Sequence, residues 1–452
     1  MNRLQKKIFF LFLLFQATAH SQNDWTLEAC INYAVQHNLK INDLQYNTHS
    51  TKESHRQSYR SLLPSVSANA SYFIQYGRST DPNSNQITNT DFFSNNYSIN
   101  ASIDLFQGFQ KLNEIAATKF LYRASKEVSL QEKYLLAFRV MSAFYDVQFF
   151  EELIQISKEQ VKISQNNYNL VTKQIELGLK AGADKYEAAS VLIGDKLIVT
   201  QNENKLKAAK LTLLQEMNLE NSTDISIQTS DITMLQKSIL QQIAADSIYQ
   251  KALSFIPSIK AQELRVNAAK KDIGIARANL YPSLTLSAGY GTGFFETNVD
   301  ATGKVIPFST QIKDNASQFI GLSLRIPISG RWSSRSQIKQ QKIALLKSKN
   351  NLALQKQELN KLIQELVQSY NASAIEYEQT QKNEAFRSVA FTVAQKKYDK
   401  GMISILELYR SKNLYAKAQS ENLQVKMRLE VQKKTIDFYR GIAVFNINTI
   451  TQ

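Results

Sequence analysis

Residues 62–72 read LLPSVSANASY, and their spacing decides the fold. After Pro64 the chain alternates. Val66, Ala68, Ala70, Tyr72, Ile74 and Tyr76 are apolar, and Ser65, Ser67, Asn69, Ser71 and Gln75 between them are small or polar. Successive side chains of a strand point to opposite faces, so this is a ribbon with one apolar and one wet side. Residues 280–290, LYPSLTLSAGY, repeat the pattern 218 positions on without a gap. A duplicated, proline-started strand predicts a chain built from two tandem units.

Working outward, each copy gains a partner strand. Tyr97, Ile99, Ala101, Ile103 and Leu105 alternate with Ser98, Asn100, Ser102 and Asp104. In the second copy Ile320, Leu322, Leu324, Ile326 and Ile328 alternate with Gly321, Ser323 and Arg325. Strand pairs are expected over 65–106 and 283–328, each around a polar loop of roughly twenty residues, long for a simple hairpin. Pro64 and Pro282 stand where helix gives way to strand, since proline disfavours helix in the residue before it. Gly108 closes the first pair and Gly330 is its expected counterpart.

Long helical stretches follow, free of glycine and proline over residues 109–176 and 333–397. Leu121, Val128 and Leu135 recur by sevens, as do Leu192, Val199, Leu206 and Leu213, and again Leu345, Leu352, Leu359 and Leu366. Heptads of this length predict helical hairpins over 109–217 and 333–441, packed through these leucines as coiled coils. Gly178 and Gly182 interrupt the first and Gly401 the second, as tight turns between helices require a residue that tolerates positive φ. The expected organisation is a first repeat over 23–218, a polar connector over 219–239, a second repeat over 240–445 and a tail over 446–452. Each repeat opens with a helix, over residues 25–61 in the first, and Pro257 should kink or split the opening helix of the second.

The N-terminus reads as a secretory signal. Arg3, Lys6 and Lys7 precede an apolar run, and Ala19 and Ser21 suit cleavage after residue 21, so residues 1–22 are set apart from the fold. The formal charge is +15 over 452 residues, 3 of those cations lying in the leader. Lysines mixed with Glu, Gln and Asn along helices are solvated faces rather than a nucleic-acid surface. A single cysteine, Cys30, excludes an intrachain disulfide. His37, His49 and His55 form no metal-ligand pattern, and no nucleophile, P-loop or dinucleotide motif occurs. GYGTG, residues 289–293, lies mid-strand, where small residues facing a barrel interior account for it. The expectation is no enzyme, no catalytic residue, no cofactor and no metal.

Strands of about ten residues, apolar on one side, match membrane-crossing β-strands. Four cannot close a barrel, and an open edge in lipid is prohibitive. Other copies must complete it; two would supply eight strands and three would supply twelve.

Signal peptide, doubled strand pairs and doubled long hairpins together resemble the TolC-type outer-membrane efflux proteins, across residues 25–445. The most specific local likeness is YDKGMISILELYRSKNLYAKAQ, residues 398–419, with LGLKAGADKYEAA, residues 177–189, as its counterpart. The resemblance implies an α+β membrane protein. It would be a homotrimer with one 12-stranded barrel in the outer-membrane lipid and a helical tunnel through the periplasm. It would serve as passive exit duct for a periplasmic adaptor and an inner-membrane transporter, in efflux or type I secretion. By position, Asp184 would be the acid of a hairpin-tip latch and Tyr398 its partner. Ile403 stands where an arginine would complete that latch. Glu407 fits the first selectivity acid, while Arg410 occupies the second position and is spaced to pair with Glu407. The alternative is a periplasmic coiled-coil scaffold or adaptor-like protein with no membrane barrel.

Overall fold

The computed structural model describes residues 24–81, 85–89, 91–220, 224–228, 244–445 and 447. The expected signal peptide, most of the connector and nearly all of the tail lie outside these residues. Helices α1 (Leu27–His37) and α2 (Leu39–Arg60) lead into strand β1 (Ser65–Gln75). Two short strands, β2 (Ser79–Thr80) and β3 (Ile87–Thr88), sit in the loop before β4 (Phe92–Gln107). The 67-residue helix α3 (Gln110–Glu176) and α4 (Ala183–Met217) form the first hairpin. Next come α5 (Ala245–Phe255), α6 (Pro257–Ala278), β5 (Ser283–Phe295), a short helix α7 (Phe308–Asp314) and β6 (Ser317–Arg325). The second hairpin is α8 (Ser333–Asp399), also 67 residues, and α9 (Ile405–Tyr439).

The opening helix of the first repeat is two helices. At Asn38 the backbone is extended (ψ 122°), and the Asn38 carboxamide oxygen accepts from the N–H groups of Lys40 and Ile41, so the residue ends α1 and caps α2. Ile256, 218 positions later, has the same ψ of 122°, and Pro257 starts α6. A side-chain cap and a missing N–H thus break the helix at equivalent points. All four long helices end alike. After α3, the N–H of Gly178 reaches Ile175 O and that of Leu179 reaches Gln174 O, with Gly178 at φ +73°. After α8, Gly401 at φ +74° and Met402 bond Tyr398 O and Lys397 O in the same way. This is the paired 5→2 and 6→1 termination that left-handed C′ residues permit. Asn218 and Gly441 repeat it after α4 and α9.

Contacts divide the chain into two units. One comprises residues 45–128 and 258–355 and holds the sheet. Its order is β1-β4-β5-β6, every pairing antiparallel. The register aligns like with like. Val66, Ala101, Ala288 and Ile320 form one row across the four strands, and Ser65, Ser102, Ser287 and Gly321 form the next. One side of the sheet is therefore continuously apolar, and Val66, Ile99, Ile320, Leu322 and Leu324 on it are all more than half exposed. The other side carries Ser, Thr, Asn and Gly, and Phe319 lies across Gly289, leaving no room there for a Cβ. Strands β1 and β6 are the open edges.

Two corrections concern strand ends. β4 begins at Phe92, where Phe92, Ser94 and Asn95 are buried outside the alternating pattern. β6 stops at Arg325 rather than continuing to Ile328, because Pro327 has no N–H and holds Ile326 off the ladder. A third concerns the strand–helix joints. Gly108 and Phe109 are left-handed (φ +56° and +65°), but in the second repeat Arg331 and Trp332 take that role (φ +49° and +64°), not Gly330. A Cβ on Gly108 would come within 2.8 Å of Ala278 O and of Tyr281 Cβ. Gly108→Ala should therefore cost about 1–3 kcal/mol. Arg331→Gly should leave stability within about 1 kcal/mol of the parent, since it relieves a left-handed non-glycine residue. Urea unfolding in detergent, followed by far-ultraviolet circular dichroism, checks both.

The other unit comprises residues 1–44, 129–257 and 356–452. Its main core joins Cys30, Ile31 and Ala34 of α1 to Leu136, Val140, Phe144 and Val147 of α3 and Leu213 and Met217 of α4. The leucine heptad expected to carry α3 packing does not lie there. Leu121 and Leu135 are 45% and 42% exposed, because the buried face of α3 is the one bearing Leu136, Val140 and Phe144. Cys30 is wholly buried, and burial pushes its thiol up to about 12. Iodoacetamide at neutral to mildly alkaline pH should leave the folded protein unlabelled and label it fully in guanidinium, read as a mass shift.

Candidate functional site at the hairpin tips

Every expected site residue except Pro64 and Pro282 lies in this second unit, around the two turns. Val171 of α3, Ala188 of α4, Tyr398 of α8 and Ile405, Leu408 and Tyr409 of α9 form one buried cluster, with Ile403 packed against it. The ends of both hairpins are thereby joined through apolar contact. Ser404 starts α9 as its N-cap, its hydroxyl accepting from the Glu407 N–H at 3.2 Å. Ser404-x-x-Glu407 is the spacing of a capping box, and an acid in the first turn also suits the helix dipole. Glu407 and Arg410 are exposed, and no ion pair joins them in the described structure, so the expected pairing along α9 is not made.

The Tyr398 ring is buried, and its hydroxyl accepts from the Lys180 ammonium at 2.9 Å. The same ammonium stands 4.7 Å from the ring centroid, a cation–π contact. Lys180, in the turn between Gly178 and Gly182, thus joins the first hairpin to the second. Asp184 is half-exposed in the first turn of α4, and its side chain makes no hydrogen bond to Tyr398 within the chain. Gly182, the residue before α4, is right-handed (φ −59°). Ile403 contributes an apolar side chain where the resemblance expected a cation.

Further along the helices lies a charged site that sequence reading missed. Lys412 of α9 is completely buried and is ion-paired with Asp195 of α4. Its ammonium also donates to Ser164 Oγ of α3 at 2.7 Å, and the Ser164 hydroxyl donates to Asp195. Burial holds the Lys412 ammonium below the ordinary lysine range, with Asp195 pulling the other way. The seam continues in polar residues: Asn202 of α4 donates to Ser157 of α3 at 2.7 Å, and Gln160 and Asn167 are buried nearby. Ser157, Gln160, Ser164, Asn167 and Val171 follow the 3-4 spacing of a helix core stripe. Four polar residues on a stripe that should be apolar were the available signal. Tyr409, with its ring in the tip cluster, carries a buried hydroxyl without a partner, and burial raises its pKa.

Among the described residues no group of three or more His, Cys, Asp or Glu side chains could hold a metal ion, and no helix is long and apolar enough to cross a membrane. His37 stacks on Tyr33, and His55 bonds Thr118 Oγ1 at 3.1 Å.

Comparison with known proteins accounts for the doubled strands and hairpins. The profile of the outer membrane efflux proteins matches residues 30–218 and 248–441. The chain belongs to that family. Among the relatives it resembles is a probable efflux pump outer membrane protein of Pseudomonas putida, TtgC, 24% identical over 271 residues. That alignment covers 60% of this chain and 54% of TtgC, so the match spans about half the length of the relative. The cation efflux system protein CusC of Escherichia coli is 26% identical over 199 residues, 43% of this chain and 41% of CusC. A solved structure of CusC shares the fold, with a TM-score of 0.76 at 18% identity over 92% of both chains. As an outer membrane efflux protein, the chain resides in the outer membrane.

Proposed function

We infer that three copies of this chain close a 12-stranded barrel and together form the passive exit duct of a tripartite efflux or secretion system. The observation that carries this reading is the sheet: one face apolar and largely uncovered, the other mostly Ser, Thr, Asn and Gly with Phe73 and Phe319 among them, and both edge strands open. In lipid the apolar face is satisfied, and only closure by neighbouring copies removes the edges. Three copies give twelve strands around a polar lumen, the arrangement the family resemblance implies. The helical hairpins then extend into the periplasm and meet an adaptor and an inner-membrane transporter at their tips. Energy comes from that transporter, and the duct itself needs no catalytic residue or cofactor.

The tips are the gate in this reading. Gly178, Gly182 and Gly401 shape the turns, the apolar cluster around Tyr398 and Ile405 holds each protomer's hairpins together, and Asp184, Glu407 and Arg410 remain available to neighbouring copies or an adaptor. An Asp184–arginine latch is replaced by apolar packing at Ile403, and with Arg410 in place of a second acid, selection for cations at the entrance is weakened. A periplasmic scaffold without a barrel is the weaker reading, because it leaves the face from Val66 to Ile320 in water.

Disulfide trapping tests the closure. With Cys30 replaced by Ala, a cysteine on β1 at Asn69 is paired in turn with single cysteines along β6 at Ser317, Phe319, Gly321 and Ser323. At least one pair should yield covalent trimers in outer membranes. If all pairs gave only monomers, or the mature protein was freely soluble in the periplasm, the barrel reading would be wrong.

A further inference from the structure

The polar face of the sheet carries almost no charge. Across β1, β4, β5 and β6 only Asp104 and Arg325 are charged residues. The register sets both on the polar side, Asp104 opposite Thr285 and Arg325 opposite Ser283. Asp104 is answered within the chain: the Lys111 ammonium stands 3.0 Å from its carboxylate, and the Thr285 hydroxyl donates to it at 3.0 Å. Arg325 ends β6, is exposed in the single chain, and has no ion-pair partner among the described residues.

Closure of the sheet supplies no counter-charge either. Residues 315–357, running from before β6 into the first part of α8, hold eight lysines and arginines and no Asp or Glu. The cavity beside Arg325, about 940 Å³ and bounded by Gln107, Ser283 and Arg335 among others, has no carboxylate in its wall. Where β6 meets β1 of the next copy, antiparallel pairing sets the end of β6 against the start of β1, at Ser65. Residues 54–80 of that neighbour contain no Asp or Glu, and Glu53 is already engaged by Arg56 and Arg60 of its own helix. The first repeat is an internal control. Over residues 104–127 its cations Lys111, Lys119, Arg123 and Lys126 are interspersed with Asp104, Glu114 and Glu127. The unanswered cation at the helical end of the strands belongs to the second repeat alone.

Closure by three copies sets three Arg325 side chains at one level, around the polar lumen where strands give way to helices. A ring of like charge in a low-dielectric passage concentrates counter-ions and repels co-ions. A guanidinium keeps its charge at any physiological pH and binds oxyanions through paired N–H donors. We propose that Arg325 is the charge filter of the duct, and that the solutes it passes are small organic anions rather than cations. The filter rests on the barrel reading, since Arg325 meets a lumen only if neighbouring copies close the sheet.

Planar-bilayer recordings on purified trimers under a KCl gradient test it. The reversal potential of the parent should show chloride passing more readily than potassium. That preference should weaken between about 0.1 M and about 1 M salt, as the screening length shrinks from about 10 Å to about 3 Å. R325Q should lower the chloride-to-potassium permeability ratio by roughly several-fold and R325E should invert it, while R325K retains it. Benzoate replacing chloride should carry current through the parent and much less through R325E. A parent channel that prefers potassium, shows no preference or excludes benzoate would overturn the proposal. So would R325Q and R325E channels with the parent's ratio, or heat-modifiable trimers that pass no current. If R325E fails to assemble, R325Q and the salt dependence of the parent decide the matter. Protein that forms no heat-modifiable trimer at all would instead sink the barrel reading, and the filter with it.

Discussion

Asp195→Asn should weaken the helical unit by about 3–5 kcal/mol, the usual cost of stranding one buried charge without its partner. Lys412, wholly buried on α9, would then keep only neutral partners: the amide at 195, Ser164, and the Tyr409 ring, whose centroid is 5.8 Å from its ammonium. Lys412→Met should cost a similar amount by leaving Asp195 buried and unpaired. The double change Asp195→Leu with Lys412→Met should recover most of the loss, because a well-packed apolar pair matches a buried ion pair in stability. The pH response has a definite sign. Burial already holds Lys412 below the lysine range, so between its folded and unfolded values the unfolded chain carries more protons and stability rises with pH. Removing the counter-charge depresses the folded value further. The Asp195→Asn penalty should therefore shrink from about pH 6 to about pH 9, measured as urea midpoints by circular dichroism. Single variants as stable as the parent at both pH values would show that the pair does nothing for stability.

Leu322→Arg separates a membrane-embedded sheet from a soluble one. Leu322 lies in the apolar row with Leu286 and is 63% exposed. On a solvated surface such a change shifts stability by no more than about 0.5 kcal/mol. Facing the middle of a bilayer it should cost about 2–4 kcal/mol and reduce the fraction of heat-modifiable trimer after refolding into vesicles. Ser323→Arg, one residue on and on the polar face, should be tolerated and alter conductance instead. Equal tolerance of both substitutions would argue that Leu322 does not face lipid.

The alternation after Pro64 and Pro282 and the glycine-free first helices of the hairpins were legible because each is a local rule: strand period, helix period, and a residue that cannot continue a helix. The short helix α7 was not. Seven residues are too few for a periodic signal, and its centre, Gln311, is a polar residue buried by bonds to Phe295, Ile306 and Asn298. The left-handed turn at Arg331 was hidden because Gly330, next to it, carried the usual marker. The leucines at 121 and 135 mark a real stripe, but sequence does not say whether a stripe packs within the chain or is left exposed in a single protomer. At the tips the turn glycines were readable, while the Lys180–Tyr398 and Asp195–Lys412 links were not. Each joins residues more than 200 positions apart, and nothing in either stretch names the other.

The pairing at the middle of the sheet governs how the protein is made. Ser94 pairs with Phe295 and Gln107 with Ser283, so β4 and β5 meet only after nearly two hundred intervening residues have been synthesised and exported. Loop closure over such a span precedes any reward from the contacts, which makes this step slow. Until then the β1–β4 hairpin carries two unpaired edges and a bare apolar face through an aqueous compartment. A periplasmic holding factor that shields the first hairpin until the second arrives would be of most use to a nascent chain halted between α4 and α5.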